Sequence, residues 1–249
     1  MCTLSWLPGP DGYALCFNRD ERRTRAAARP PTILTRDGVR FITPLDGEAG
    51  GTWVLVNEFG VSLGLLNRYQ QSNVTRAGQT SRGLLLLELA ACQRGLDVQK
   101  SLEERNLAWY APFTIAAIAP GAPARLAVWD GRQLTCGAHA SPGLIMTSSA
   151  VDEGRVRASR EATFQQEAPH SSESLLALHR SHHPSPGASS VCMHRADAET
   201  RSCSLIEVGS GDARFLHYAD SPCRSDPLPL LTLARRIPTA VPAGDFFSA

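Results

Sequence analysis

The sequence predicts an α+β fold, one layered domain of antiparallel sheets with helices on the outside. The first half is a series of short β-patterned runs joined by Gly-, Pro- and Asp-bearing turns. The elements then run in the order strands, helices, strands, helices, strands. Across all 249 residues there is neither an internal repeat nor a clear boundary, so residues 1–249 are expected to form a single domain.

Residues 3–7 read as a strand, Pro8-Gly9-Pro10-Asp11-Gly12 as a turn and residues 13–17 as the return strand. Residues 20–31 are polar and rich in Arg and Ala, and read as a loop. Strand patterns return at 32–34 and 39–43 about Arg36-Asp37-Gly38, then at 53–56 and 61–66 about Asn57-Glu58-Phe59-Gly60. Ser81 suits the N-cap of an apolar helix over residues 84–92, and Asp97 that of a second helix reaching about Asn106. Strands are expected at 113–119, 125–129, 133–136 and 144–147. Residues 151–167 read as an amphipathic helix and residues 171–182 as a shorter one. Strands at 190–195, 202–208 and 214–218 close the core. From Pro222 the chain is proline-rich, and residues 222–249 are expected to be a tail on the surface.

The formal net charge is +1, which gives no electrostatic reason to expect nucleic acid or an anionic membrane as a partner. The basic residues are scattered arginines, with Lys100 the only lysine, which reads as composition bias. No apolar run reaches the length of a membrane-spanning helix. The first twenty residues contain Pro8, Pro10, Asp11 and Asp20 and lack the apolar stretch of a signal peptide, so the expected location is cytoplasmic. The seven cysteines are Cys2, Cys16, Cys92, Cys136, Cys192, Cys203 and Cys223. Their number is odd and no pair has metal-knuckle spacing, so neither a disulfide framework nor a structural zinc site is expected, and no metal is assigned.

The chemistry is expected at four short segments: Met1-Cys2-Thr3, Asn18-Arg19-Asp20-Glu21, Gly50-Gly51-Thr52-Trp53, and Leu65-Leu66-Asn67 with Ser81-Arg82-Gly83 after it. Removal of Met1 would place the Cys2 thiol on the same carbon as a free α-amine, whose pKa near about 8 suits it to take the thiol proton. The hairpin returns Arg19 and Asp20 to the chain start, where Arg19 favours a thiolate and the Asp20 carboxylate orients the amine. Asn67 offers a side-chain N–H to a developing oxyanion. Gly50 and Gly51 allow a close backbone approach to a ligand. Taken singly, each segment also reads blandly. Arg19-Asp20-Glu21 reads as a surface salt-bridge cluster, Gly50 to Trp53 as a tight turn before a core tryptophan, and Asn67 as a turn residue. Their combination is the specific signal.

With these motifs the chain resembles the Asn-Arg-Asp-Glu family, that of transport and Golgi organisation protein 2 and its bacterial relatives. Weaker matches lie at Ser189-Ser190-Val191-Cys192 and Thr200-Arg201-Ser202. The resemblance implies an N-terminal-nucleophile (Ntn) hydrolase-like four-layer αββα sandwich, distantly similar to the choloylglycine and penicillin V acylases. It implies Cys2, Arg19, Asp20 and Asn67 as catalytic residues, with Gly50, Gly51, Trp53, Ser149 and Arg201 on the substrate side. Ser149 stands where those acylases carry an Asn, and the tryptophan usual after the tetrapeptide is replaced by the run Ala26 to Pro31.

Two functions follow from this. One is hydrolysis of a non-peptide amide through Cys2, which requires no cofactor. The other is non-catalytic binding and trafficking of a haem- or lipid-related small molecule in the same cleft, with haem as the candidate ligand. Of the seven histidines, His179, His182 and His183 cluster at a helix end. They read either as a ligand set or, more plainly, as a solvated helix C-terminus whose cations suit the dipole. Because the second residue is small, natively expressed protein is expected to begin at Cys2. Intact-mass measurement checks this, and a retained methionine would exclude an N-terminal nucleophile.

Overall fold

β1, Cys2–Gly9, turns back into β2, Gly12–Arg22, and this hairpin occupies the middle of a six-stranded antiparallel sheet. The computed structural model describes residues 2–69, 80–139 and 144–238. Strand alternation sends Cys2, Leu4 and Trp6 to one face of the sheet. Thr3 and Ser5 point to the other, where they meet the helices. The return strand repeats the pattern, with Leu15 and Phe17 in the core between the sheets and Cys16 on the helix side.

The next strands are β3, Arg29–Arg36; β4, Val39–Leu45; β5, Val54–Asn57; and β6, Ser62–Asn67. With β7, Phe113–Ile118, β8, Ala124–Trp129, and β9, Leu134–His139, they form a seven-stranded antiparallel meander in chain order. Helices α1, Arg82–Glu88, and α2, Gly95–Glu103, cover its outer face. The first sheet is completed by β10, Leu144–Ser148, β11, Ala198–Val208, β12, Asp212–Tyr218, and β13, Leu231–Ala234, in the order β10-β1-β2-β11-β12-β13. Its outer face carries α3, Glu153–Glu167, and α4, Ser172–Arg180. The layers are therefore helix, sheet, sheet, helix, which is the four-layer αββα arrangement expected.

The two sheets close on a core that includes Leu4, Leu15, Phe17, Ile42, Val54, Val56 and Ile206. Each such side chain, fully buried, contributes about 1.5–3 kcal/mol. Gly64 on β6 sets how closely the sheets approach, because a Cβ there would lie 2.1 Å from Leu4 Cδ1. Helix ends follow local chemistry. Asp152 caps α3 by accepting from the Arg155 N–H, and Ser171 and Ser174 form a reciprocal capping box on α4. Ser81 occupies the N-cap position of α1, yet its side chain makes no capping bond. The second helix begins at Gly95, so Asp97 lies in its first turn rather than at its cap, and Asn106 instead caps a 3₁₀ turn at Leu107–Trp109.

Several expectations are corrected. Residues 20–31 are not one loop: β2 runs on through Arg22 and β3 begins at Arg29. Residues 190–195 form no strand. The Val191 carbonyl accepts from Asn18 Nδ2, the Cys192 carbonyl from Ser190 Oγ, and the Cys192 N–H donates to the Ser181 carbonyl. These partners replace a sheet ladder. The proline-rich segment is not wholly a surface tail, since Leu231, Thr232 and Leu233 lie clear of the flanking prolines and add an edge strand with Leu233 buried. Residues 239–249 of that segment lie outside the described residues, as does Met1. Cys16 and Cys192 are buried, whereas Cys92 is only half-buried just beyond α1. His179 is not a solvated end residue. It is fully buried, bonds Ser5 Oγ through Nε2 at 2.7 Å, and burial chiefly lowers its pKa to about 3, so it is neutral.

Gly64→Ala should destabilise the protein by about 1–3 kcal/mol through overpacking between the sheets. Adding Leu4→Ala should recover part of that loss. Urea unfolding of the single and double variants measures both, and additivity of the two losses would refute the close approach.

Candidate functional site

Cys2 opens β1 with Arg19 of β2 directly opposite on one side and Ser148 of β10 on the other. The residue therefore sits in the body of a sheet, at its end, facing the gap between sheets. A cavity of about 490 Å³ opens there. Cys2, Arg19, Asp20 and Asn67 all line it, together with Gly51 and Trp53. Asn67 arrives from the second sheet, as the last residue of β6. The tetrapeptide thus meets the Leu66-Asn67 motif across the two layers.

The backbone N–H of Asp20 lies towards the Cys2 sulfur and favours its thiolate. Burial dominates the thiol's acidity and raises its pKa. The chain's terminal ammonium opposes that rise, the Asp20 carboxylate adds to it, and the Asp20 N–H and Arg19 oppose it. The sulfur is accordingly a protonated thiol near neutral pH, and needs a base before it can attack.

Alternation separates the neighbours of the tetrapeptide. Arg19 shares the inner face with Cys2, while the side chains of Asn18 and Asp20 go to the helix side. Asn18 Nδ2 donates to the carbonyls of His179 and Val191 at 2.9 and 3.0 Å. The Asp20 carboxylate accepts from Arg160 of α3 at 3.2 Å and from Thr200 Oγ1 at 2.7 Å. Arg160 is wholly buried and also contacts Thr3 Oγ1 and the Ala188 carbonyl. Removing one member of such a buried pair costs about 3–5 kcal/mol. Asp20 thus reaches the sulfur by its main chain, and its side chain anchors the strand that carries it.

Arg19 is held on its inner face by two contacts. Its Nη2 donates to Asp46 Oδ2 at 2.7 Å, and its guanidinium lies 4.5 Å over the Trp53 ring. Asp46 also takes Arg25, through Nε at 3.0 Å and Nη2 at 2.9 Å, and the Ala49 N–H at 2.8 Å. Burial alone would raise the Asp46 carboxyl, but the bonds from Arg25 and Ala49, with the charges of Arg25 and Arg19, hold its pKa down to about 2. The turn that presents Asp46 closes through bonds from Asp46 N–H to Gly51 O and from Gly50 N–H to Asp46 O, with Gly50 at φ +67°. Gly51 and Gly83 bring that turn against the start of α1. A Cβ on Gly51 would lie 2.5 Å from Gly83 C, and the Thr52 N–H donates to Gly83 O at 3.1 Å. Two motifs far apart in sequence are thereby one wall.

Three expected residues are not in that wall. Gly50 shapes the turn but does not line the cavity. Ser149 directs its hydroxyl to the Val151 carbonyl at 2.6 Å, at the entry to α3. Arg201 falls at the register shift between Thr200 and Ser202 on β11, and its guanidinium contacts the Arg23 carbonyl and Glu199. Three residues escaped the sequence reading, and a fourth, Arg82, was named there only as part of its motif. Asp46 was hidden in an Asp-Gly pair that reads as a turn. Arg160 lies on the inward row of α3 with Val156 and Thr163, and that placement was the available signal. Tyr69 lies beside the Asn67 side chain, and burial raises its pKa, with the Cys2 charge the next cause and the Asn67 side chain opposing both. Arg82 lines the cavity and donates to the Pro112 carbonyl at 2.8 Å, and burial lowers its pKa against the opposing charges of Tyr69, Cys2 and Glu21.

Comparison with known proteins agrees with the fold. The family profile described as Transport and Golgi organisation 2 matches residues 1–174. No curated protein sequence matches the chain. Among solved structures, an N-acylethanolamine-hydrolyzing acid amidase ortholog from Caenorhabditis elegans superposes with TM-score 0.62 at 9% identity, covering 95% of this chain and 100% of that one. Penicillin V acylase from Agrobacterium tumefaciens gives TM-score 0.55 at 10% identity, covering 91% and 84%. A C2A mutant of conjugated bile acid hydrolase from Clostridium perfringens gives 0.52 at 11%, covering 94% and 92%. At these identities the likeness is one of fold, and it is the Ntn-hydrolase fold.

Because the Asp46 pKa is depressed on folding, its ion pairs stabilise the protein above its ordinary value of about 4 and are lost as pH falls towards about 2. Asp46→Asn should therefore lower the unfolding free energy at pH 7 by about 1–3 kcal/mol. The gap from wild type should close as pH falls through that window. Denaturant unfolding at a series of pH values measures it, and a gap independent of pH would refute the clamp.

Proposed function

Because the chain belongs to the Transport and Golgi organisation 2 family and sets a cysteine in the wall of a polar cavity, we propose that it hydrolyses a non-peptide amide bond through Cys2. One observation carries this reading: Cys2 faces the cavity with the Asp20 N–H towards its sulfur and Arg19 directly across the strand pair. The three solved structures described above are named as an amidase, an acylase and a bile acid hydrolase. Their shared class of chemistry comes to this chain as part of the proposal.

In this reading, removal of Met1 frees the Cys2 α-amine. The amine takes the thiol proton as the sulfur attacks the amide carbonyl carbon, and the tetrahedral oxyanion accepts the Asn67 side-chain N–H. The indole N–H of Trp53 is a second candidate donor. It is buried without an acceptor among the described residues, and Trp53 lines the cavity. Collapse breaks the C–N bond, and the leaving amine receives the proton from the α-ammonium. Water then attacks the thioester, with the amine again as base, releasing the carboxylic acid and restoring the thiol. Arg19 favours the thiolate form. Arg82 makes no ion pair among the described residues and offers its guanidinium to a polar or anionic part of the substrate.

The alternative, a carrier of haem or a lipid-related molecule, uses the same cavity. Its described lining contains no histidine, a common axial ligand, and includes the charged Arg19, Glu21, Arg25, Asp46 and Arg82. The hydrolase reading uses more of what is there.

Against a panel of acyl amides, Cys2→Ala should abolish turnover while ligand binding persists, and Asn67→Ala should lower kcat by about 10²–10³. If wild type shows no Cys2-dependent turnover, and a Soret-band titration shows tight haem binding, the carrier reading replaces the hydrolase.

A further inference from the structure

On the far side of the six-stranded sheet from the cavity, four metal-ligating side chains converge. His182 follows the end of α4. Cys192 and His194 lie on the irregular segment between α4 and β11, and Cys223 in the turn after β12. One ligand atom from each lies within 4.8 Å of all the others. The Cys192 and Cys223 sulfurs are 3.5 Å apart, Cys192 Sγ is 3.7 Å from His194 Nε2, and His194 Nε2 is 3.3 Å from Cys223 Sγ. Zinc bonds of about 2.3 Å to sulfur and about 2.0–2.1 Å to nitrogen put tetrahedral ligand edges at about 3.3–3.8 Å. These three separations fall in that range. The fourth ligand supplies an independent observation: His182 Nε2 is buried with no hydrogen-bond partner among the described residues, and its ring lies 5.0 Å from that of His194.

We propose that His182, Cys192, His194 and Cys223 form a Cys₂His₂ structural zinc site. Two thiolates and two imidazoles at tetrahedral spacing select zinc over hard, oxygen-seeking cations. Four protein ligands close the coordination shell and leave no position for substrate, so the metal is structural. Binding releases the two thiol protons to solvent. His194 then coordinates through Nε2 and carries its proton on Nδ1. The Glu199 carboxylate, 3.8 Å from Nδ1, is the acceptor for it. The exposed Arg224, which now donates to Nδ1 at 2.6 Å, turns aside and keeps Glu199 as its partner.

The site explains how an irregular segment is fixed. Residues 190–195 have no sheet ladder, and a metal would tie that segment to the end of α4 and to the turn after β12. The same segment supports the cavity from behind. Met193 and Thr200 exchange hydrogen bonds at 2.8 and 2.9 Å, and Thr200 Oγ1 holds Asp20. Pairwise spacing along the chain conceals the set, because the ligands come from three separate segments. A second grouping, Cys16, His179 and Cys203, has only three ligands, and Ser5 already occupies His179 Nε2.

Protein purified under reducing conditions should contain about one zinc per chain by elemental analysis. Replacement by Co(II) should give the visible bands of a tetrahedral site with thiolate charge transfer. Cys192→Ser and Cys223→Ser should lose the metal and the bands, whereas Cys16→Ala and Cys136→Ser should keep both. Should the cysteine variants fail to fold, the Co(II) spectrum of wild type and the loss of affinity in His182→Ala carry the test. Wild-type protein that takes up neither metal when fully reduced overturns the proposal. So does uptake that survives in folded Cys192→Ser/Cys223→Ser protein, which would place the metal elsewhere.

Discussion

The pairing of β1 with β2 in one register, Cys2 opposite Arg19, is the constraint on which the rest depends. With a period of two, a slip of one residue would carry every side chain of β1 to the opposite face. Leu4 and Trp6 would leave the core between the sheets, and Thr3 and Ser5 would enter it without Arg160 and His179 as partners. The burial of that apolar set therefore selects the register. The same register delivers the thiol to the cavity and the Asp20 N–H to the sulfur. Packing and site chemistry are specified by the same pairings.

Charge then holds what packing has placed. Two carboxylates of this region are enclosed by guanidinium groups, Asp20 by Arg160 on the helix side and Asp46 by Arg19 and Arg25 at the cavity. Each ion would be costly to bury alone, and each pair offsets that cost through several bonds with good geometry. For Arg19 the consequence is positional. Its guanidinium is fixed between Asp46 and the Trp53 ring, so its field falls on Cys2 from a constant place.

The layers of the fold were legible in the sequence because turns such as Pro8 to Gly12 and alternating strands leave local signatures. Segments whose conformation depends on distant partners were not. Residues 190–195 have strand composition, but Asn18, Ser190 and Ser181 take their backbone groups one by one. Within the site, Cys2 and Asn67 could be read because they end recognisable strands, and Arg19 because the hairpin returns it to the chain start. Asp46 and Arg160 could not, because their importance comes from contacts 27 and 140 residues away in the chain. Ser149 and Arg201 were placed by resemblance alone. A local bond to Val151 and a bulge in β11 account for where their side chains go instead.

The Asn-Arg-Asp-Glu tetrapeptide is thus less a string of catalytic groups than a bracket clasped from both faces of a sheet. Asn18 and Asp20 grip the helix layer, Arg19 faces the cavity, and Glu21 sits at the rim beside Arg19 and Arg25. This division governs how loss of activity on substitution is to be interpreted. A change at Asp20 leaves Arg160 buried without its partner, loosens β2, and displaces the very N–H that lies towards the sulfur. A fall in activity there would follow from misplacement whether or not the carboxylate takes part in chemistry. Cys2 and Asn67 carry no comparable buried ion pair. They are the positions where a lost activity with an intact fold would bear on the proposed hydrolysis.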